Sequence, residues 1–153
     1  MSAVLKDAPR LARMREAELD EVVALENSVY SHPWTRGNFS DSLRAGYECW
    51  TWRTERELVG YLVLTAAAGE AHLLNLSVAV ARQREGHGST LLREALQLAR
   101  LRGARELFLE VRPSNLAAQA LYANSGFRRI AVRHDYYPGR GGREDALVFM
   151  RTL

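Results

Sequence analysis

The sequence predicts a mixed α/β (α+β) domain on a largely antiparallel sheet, and two observations carry that expectation. First, hydrophobic periodicity gives the order strand, two helices, three strands, helix, strand, helix, two strands. Second, the 153 residues are 47% apolar and 25% charged, the balance of a globular chain able to bury one sizeable core. No repeat, low-complexity stretch or Pro/Gly/Ser-rich linker divides the chain. A single domain over residues 10–153 is therefore expected, behind a loose tail over residues 1–9.

A short strand is expected at Arg10–Met14. Ala17–Tyr30 then sets Leu19, Val22, Val23, Leu25 and Val29 at helical spacings. Its Glu16, Glu18, Asp20 and Glu21 suit the positive end of a helix dipole. A turn at Ser31–Pro33–Trp34 leads to a second helix, Arg36–Leu43. The apolar runs Glu48–Arg53 and Leu58–Ala67, separated by the charged Thr54–Glu57, read as a hairpin. His72–Val80 follows the Gly69-Glu70 turn as a further strand. Ser89–Leu101 carries the helical stripe Leu91, Leu92, Ala95, Leu96 and Ala99, closed by Gly103. Glu106–Val111 is a strand, and Leu116–Ser125 a short helix capped by Ser114 or Asn115, with Gly126 beyond it. One face of that helix is expected to offer Ala117 and Leu121, with Phe127, to the core. Strands at Arg128–Tyr136 and Glu144–Thr152 flank a loop, Pro138–Arg143.

Composition excludes several function classes. The lone Cys49 permits neither an internal disulfide nor a Cys-based zinc cluster, and its apolar flanks predict a core position. His32, His72, His87 and His134 are scattered without metal-ligand pairing, so no metal is expected, and no G-x-S-x-G elbow supports a serine hydrolase. No stretch approaches the roughly 20 apolar residues of a bilayer span, and Met1–Pro9 lacks the apolar run of a signal peptide. A soluble, intracellular protein is expected. The 21 basic residues exceed the 18 acidic by three, and all but Lys6 are Arg. Arg128, Arg129, Arg133, Arg140 and Arg143 beside Tyr136 and Tyr137 raise an RNA surface. Interspersed Asp135, Glu144 and Asp145 favour a solvated face instead.

Three segments could carry chemistry. In Gln83-Arg84-Glu85-Gly86-His87-Gly88-Ser89, two glycines precede a long helix. Such a turn can point successive N–H groups at a pyrophosphate, with the helix dipole behind them. Spacing alone leaves this open against an ordinary strand-to-helix turn. Glu110 ends an apolar strand in which it shares a face with Phe108, while Leu107, Leu109 and Val111 take the other. A carboxylate there suits a general base, or simply an ion pair with an arginine. Tyr122 could donate a proton or pack in the core.

Together these segments resemble the GNAT acetyltransferases, and within them the bacterial ribosomal-protein-alanine N-acetyltransferases. The likeness rests on Gln83-x-x-Gly86-x-Gly88, His32-Pro33-Trp34-Thr35, Leu109-Glu110-Val111-Arg112-Pro113-Ser114-Asn115, and Ala120-Leu121-Tyr122 with Ser125-Gly126-Phe127. Tyr136-Tyr137-Pro138 and Gly142-Arg143-Glu144-Asp145-Ala146 complete it. The resemblance implies a GNAT fold of about seven strands and four helices, with acetyl-CoA as cosubstrate and no metal. It implies Glu110 as proton acceptor and Tyr122 as proton donor. Leu76, Ser77 and Val78 would line the acetyl and pantetheine arm, with the Val78 amide polarising the thioester. Arg84, Glu85, Gly86, His87, Gly88 and Ser89 would wrap the pyrophosphate, and Asn115 would contact the cofactor. Trp34, Tyr136 and Tyr137 would lie on the substrate side.

The implied reaction is direct transfer, in a ternary complex in the cytoplasm, to the N-terminal alanine amine of the eighteenth small-subunit ribosomal protein. Neither nucleic acid nor a membrane is an expected partner. Two alternatives stand beside this: a GNAT enzyme of lysine side chains or small amines, and a non-catalytic ribosome- or RNA-binding module on the same scaffold. The chain departs from the family at Ala79-Val80-Ala81-Arg82, where Asp-Pro-x-Tyr/Phe is common, and at His87, commonly aliphatic. Glu85 adds a negative charge beside the phosphates and is expected to face solvent.

Overall fold

Strand β3 (Leu58–Ala67), buried from Leu58 through Leu64, is the most thoroughly enclosed segment of the protein. The computed structural model describes residues 8–139 and 141–153. The expected tail therefore lies outside the described residues apart from Ala8 and Pro9, as does Arg140. The remaining elements are β1 (Arg10–Arg13), α1 (Leu19–Val29), α2 (Arg36–Arg44), β2 (Glu48–Arg53), β4 (Glu70–Val78), α3 (His87–Leu101), β5 (Glu106–Val111), α4 (Leu116–Asn124), β6 (Arg128–Gly139) and β7 (Gly142–Thr152). The strands form one seven-stranded sheet in the order β1-β2-β3-β4-β5-β7-β6. β4 and β5 pair in parallel, running from Glu70–Glu106 to Leu73–Leu109, with α3 as the crossover between them.

The chain divides into two compact units. The first holds the chain up to Leu64 together with Asn75–Ala95. Within it β1, β2 and β3 form an antiparallel meander. Its core gathers Met14, Leu19, Val22, Leu25, Phe39, Cys49, Leu58, Tyr61 and Val63. The second unit comprises Thr65–Leu74 and Leu96–Leu153. There β7 pairs antiparallel with both β5 and β6.

Several boundaries shift for physical reasons. The helix expected from Ala17 opens as a 3-10 turn at Glu16–Glu18, and the Glu18 carboxylate accepts from the Arg15 N–H at 2.9 Å. β4 ends at Val78 rather than Val80, because Ala79 N–H donates to Val59 O at 2.8 Å and a 3-10 turn, Val80–Arg82, follows. The expected Pro138–Arg143 loop shrinks, since β6 runs on to Gly139 and β7 begins at Gly142. Pro138 is tolerated because β6 is an edge strand, where a missing N–H breaks no ladder. In α4 the inward position belongs to Tyr122, while Ala117 is exposed. Ala118 and Tyr122, four residues apart, set the helix phase instead.

Gly60 marks a close approach of backbones. A Cβ there would stand 2.4 Å from the carbonyl oxygen of Ser77 and 3.1 Å from Leu91 Cδ1. Cys49 is 3% exposed, and burial, followed by the charge of Glu48, pushes its thiol up to about 11.

Two outcomes follow. Gly60→Ala should lower stability by about 1–3 kcal/mol or more, because a backbone carbonyl rather than a flexible side chain must yield; urea unfolding measures it. Cys49 should resist iodoacetamide in the native protein at neutral pH and react once urea unfolds the chain.

Candidate functional site

In the first unit, β4 delivers Leu76, Ser77 and Val78, and a 3-10 turn leads into the glycine segment. Ser77 is buried, whereas Leu76 and Val78 are half-buried. Arg84 takes φ +65 and Gly86 φ +87. A left-handed conformation at a non-glycine residue costs about 1–2 kcal/mol, so the curl is imposed by its surroundings. Gln83 helps to hold it, donating from Nε2 to Val78 O at 3.1 Å. Helix α3 then starts at His87, placing His87, Gly88 and Ser89 in the first turn, whose N–H groups have no partners within the helix. Arg84, Glu85 and Gly86 are exposed. The result is an open turn ending in a helix N-terminus, a surface that suits an anion.

The departures at positions 82, 85 and 87 interlock. Trp52 Nε1 donates to His87 Nδ1 at 3.1 Å. An indole N–H can only donate, so Nδ1 accepts and the ring proton sits on Nε2, which faces Glu85 Oε1 at 3.1 Å. Glu85 also receives Arg82 Nε at 2.9 Å, and Arg82 pairs with Glu57 as well. The Arg82 and His87 hydrogen bonds hold the Glu85 carboxyl below its ordinary range. Glu85 is thus exposed and neutralised by its neighbours. The Arg82 side chain is already engaged by these two carboxylates.

Trp34 also belongs to this unit. It packs on Phe39 at 5.1 Å, and its N–H donates to Glu26 Oε2 at 2.9 Å. Sequence reasoning passed over Glu26, on the buried face of α1 and only 2% exposed. The available signal was its place four residues after Val22 and seven after Leu19 on the apolar stripe.

The second unit brings Glu110, Tyr136 and Tyr137 together. On β5, Leu107, Leu109 and Val111 are buried, and Glu110 takes the opposite face with its side chain 15% exposed. Its Oε1 receives Arg133 Nη1 at 2.9 Å and lies 4.0 Å from His72 Nε2. His72 reaches it because the parallel register sets His72 opposite Phe108, on the same face. Tyr136 stacks under the Arg133 guanidinium at 4.6 Å, and Tyr137 under that of Arg112 at 4.4 Å. The two tyrosine rings meet edge-on at 4.8 Å. Burial first, then the hydrogen bond and charge of Glu110, push the Tyr136 phenol up; burial and Glu110 do the same to Tyr137. Both stay protonated at neutral pH.

An irregularity in the β6–β7 ladder between Arg133 and Tyr137 aims these rings, with Asp135 at φ +53. The Gly142–Ala146 motif braces it. Asp145 Oδ1 accepts from Asp135 N–H at 3.0 Å, and Arg143 Nη1 donates to Tyr136 O at 3.4 Å. Glu144 accepts from Ser114 N–H at 3.0 Å and from Arg112 at 3.1 Å. These contacts tie the hairpin to the turn before α4. In that turn Asn115 caps the helix, its Oδ1 accepting from Ala118 N–H at 3.1 Å. Tyr122 is 8% exposed, its ring held by Phe127 at 5.8 Å and Phe149 at 6.3 Å.

Among the described residues no group of three His, Cys, Asp or Glu side chains could hold a metal ion, and no helix is long and apolar enough to cross a membrane.

Comparison with known proteins places this geometry in a family. The model of the acetyltransferase (GNAT) family matches residues 16–127. The [ribosomal protein bS18]-alanine N-acetyltransferase of Escherichia coli K12 is 30% identical over 138 residues, which span 90% of this chain and 93% of that one. Its counterpart from Haemophilus ducreyi is 31% identical over 139 residues, covering 90% and 96%. The crystal structure of the Escherichia coli ribosomal-protein-S18-alanine N-acetyltransferase superposes with a TM-score of 0.87 at 29% identity, covering 95% of this chain and 94% of that one. With the seven-stranded sheet, four helices and the glycine turn before α3, the chain belongs to the GNAT family and is an acetyl-CoA-dependent acetyltransferase.

Proposed function

We propose that this chain moves the acetyl group of acetyl-CoA to the α-amine of the N-terminal alanine of ribosomal protein bS18, acting in the cytoplasm through residues 10–153 as one catalytic domain. The observation that carries the substrate is the shared name of relatives about 30% identical over nine tenths of both chains. The local geometry agrees with the chemistry. The turn from Arg84 to Ser89 would hold the pyrophosphate through backbone N–H groups, which explains why changed side chains at 82, 85 and 87 are compatible with binding. Leu76, Ser77 and Val78 would line the acyl arm, and Asn115 would contact the cosubstrate beside its capping role. Trp34, Tyr136 and Tyr137 would frame the peptide. Nucleic acid plays no part.

A free α-amine has a pKa of about 7.7–8.0, so at neutral pH most of it carries the extra proton. That extra proton passes to solvent first, and Glu110 takes the second amine proton, directly or through water, as the nitrogen lone pair attacks the thioester carbonyl carbon. The oxyanion that forms is met by the Val78 N–H, a type of contact worth roughly 3–4 kcal/mol. The C–S bond then breaks, and Tyr122 gives its proton to the departing thiolate. Arg133 sits on Glu110 at 2.9 Å, so the incoming ammonium group must share or replace that contact.

With acetyl-CoA and a peptide carrying the bS18 N-terminus, mass spectrometry should find acetyl on the α-amine. Acetylation of a polyamine but not of this peptide would overturn the substrate. Glu110→Gln should lower kcat by about 10²–10⁴-fold, the usual contribution of a general base, while CoA binding by calorimetry stays as in the parent. Tyr122→Phe, which keeps the ring contacts with Phe127 and Phe149, should also lower kcat. Parent-like turnover in either variant removes that residue from its role.

A further inference from the structure

Glu26 is a buried carboxylate to which the mechanism above gives no part. Its Oε1 accepts from the Tyr61 hydroxyl at 2.5 Å and from Asn75 Nδ2 at 2.9 Å, and its Oε2 accepts from the Trp34 N–H at 2.9 Å. All three donors are neutral. They come from β3, β4 and the segment after α1, so one side chain joins three parts of the first unit.

The network has a direction. Ser77 Oγ donates to Asn75 Oδ1 at 2.7 Å, which commits its hydrogen. The 2.8 Å contact between Tyr30 and Ser77 must then be donated by Tyr30, which also points at Leu76 O at 3.2 Å. The chain therefore runs from Tyr30 through Ser77 and Asn75 to Glu26, with Tyr61 and Trp34 feeding the same acceptor. Burial, then the charge of Glu26, hold the Tyr61 phenol far above its ordinary value, so it remains a donor. Asn75 could satisfy its amide either way round, but a carboxylate at one end leaves one choice. Glu26 thus sets the orientation of Asn75, and through it the hydroxyl of Ser77, in the stretch proposed for the acyl arm. The same carboxylate pins the backbone of Trp34, proposed for the peptide side.

We infer that Glu26 is a positioning residue for acetyl transfer: it fixes the Trp34 segment and the Asn75–Val78 stretch of β4 relative to each other through one buried acceptor. This rests on the acetyltransferase reading of those two segments. Glutamine at this position cannot replace it, because one arm becomes a donor. That arm faces either the Trp34 N–H or the Asn75 amide, and so frees the loop or reverses the chain. A misplacement of about 1 Å at a reacting centre can cost 10²-fold in rate.

The test compares the full chain with Glu26→Gln, Asn75→Asp and the double variant, measuring kcat and KM for the peptide, CoA affinity by calorimetry, and the thermal midpoint. In Glu26→Gln, kcat/KM should fall by roughly 10²-fold at a temperature where the variant is fully folded, with CoA affinity unchanged. The double variant restores an acceptor at position 75 for the new donor and should regain much of the loss. Parent-like kcat/KM in Glu26→Gln, an equal loss of CoA affinity, or no recovery in the double variant overturns the inference. If Glu26→Gln fails to fold, Tyr61→Phe removes a single donor. It should lower kcat/KM at unchanged CoA affinity, and parent-like kinetics there would equally overturn it. A parent chain inactive on the peptide but active on a polyamine defeats the substrate assignment alone, and the variants are then compared on that amine.

Discussion

A carboxylate buried without a basic group among its described hydrogen-bond partners has to be satisfied by neutral donors, and Glu26 imposes that requirement on the whole first unit. Removing one partner from such a group would leave a charge or a donor stranded in the core, which is far costlier than never burying it. Tyr61, Asn75 and the Trp34 N–H must therefore stand where they do. β3 contributes Tyr61 while presenting Gly60 to the Ser77 carbonyl, so the placement of β4 answers to both a steric and a polar constraint.

The second unit is organised around a different carboxylate, held half-open. Glu110 meets Arg133, His72 and the tyrosine pair at the end of β5. Two of those partners lie on the edge strand β6, whose ladder irregularity and strained Asp135 would be unstable alone. Asp145, Glu144 and Arg143 stabilise that strand by hydrogen bonds to its backbone and to the turn at Ser114. The Gly142–Ala146 segment, which marks the chain so specifically at the level of sequence, acts here as a brace for Tyr136 and Tyr137.

Much of this was legible in the residues themselves. The bounds of β2, β3 and β5 follow from apolar runs ending at charged or glycine-containing turns, and the two faces of β5 follow from strand alternation. The core position of Cys49 and a helix cap at Ser114 or Asn115 were equally local, and Asn115 is the residue that caps. What escaped depends on register or on distant partners. His72 meets Glu110 only through the parallel β4–β5 pairing, and which arginine would pair with Glu110 depended on how β6 docks on β7. Ala117 was misplaced because the short, alanine-rich α4 has almost no hydrophobic periodicity to fix its phase. Glu26 was hidden among the acidic residues around α1, of which Glu16, Asp20 and Glu21 mark an exposed helix start.

The twenty arginines take on a clearer meaning in this light. Arg82, Arg112, Arg133 and Arg53 are committed to carboxylates within the fold, and the anion-binding turn relies on backbone N–H groups. The proposed product is an acetylated N-terminal alanine on bS18. Mass spectrometry of protein N-termini in cells with and without this protein tests it most directly. The bS18 N-terminus should be acetylated when the protein is present and free when it is absent. An unchanged bS18 N-terminus in the cells that lack it would contradict the account.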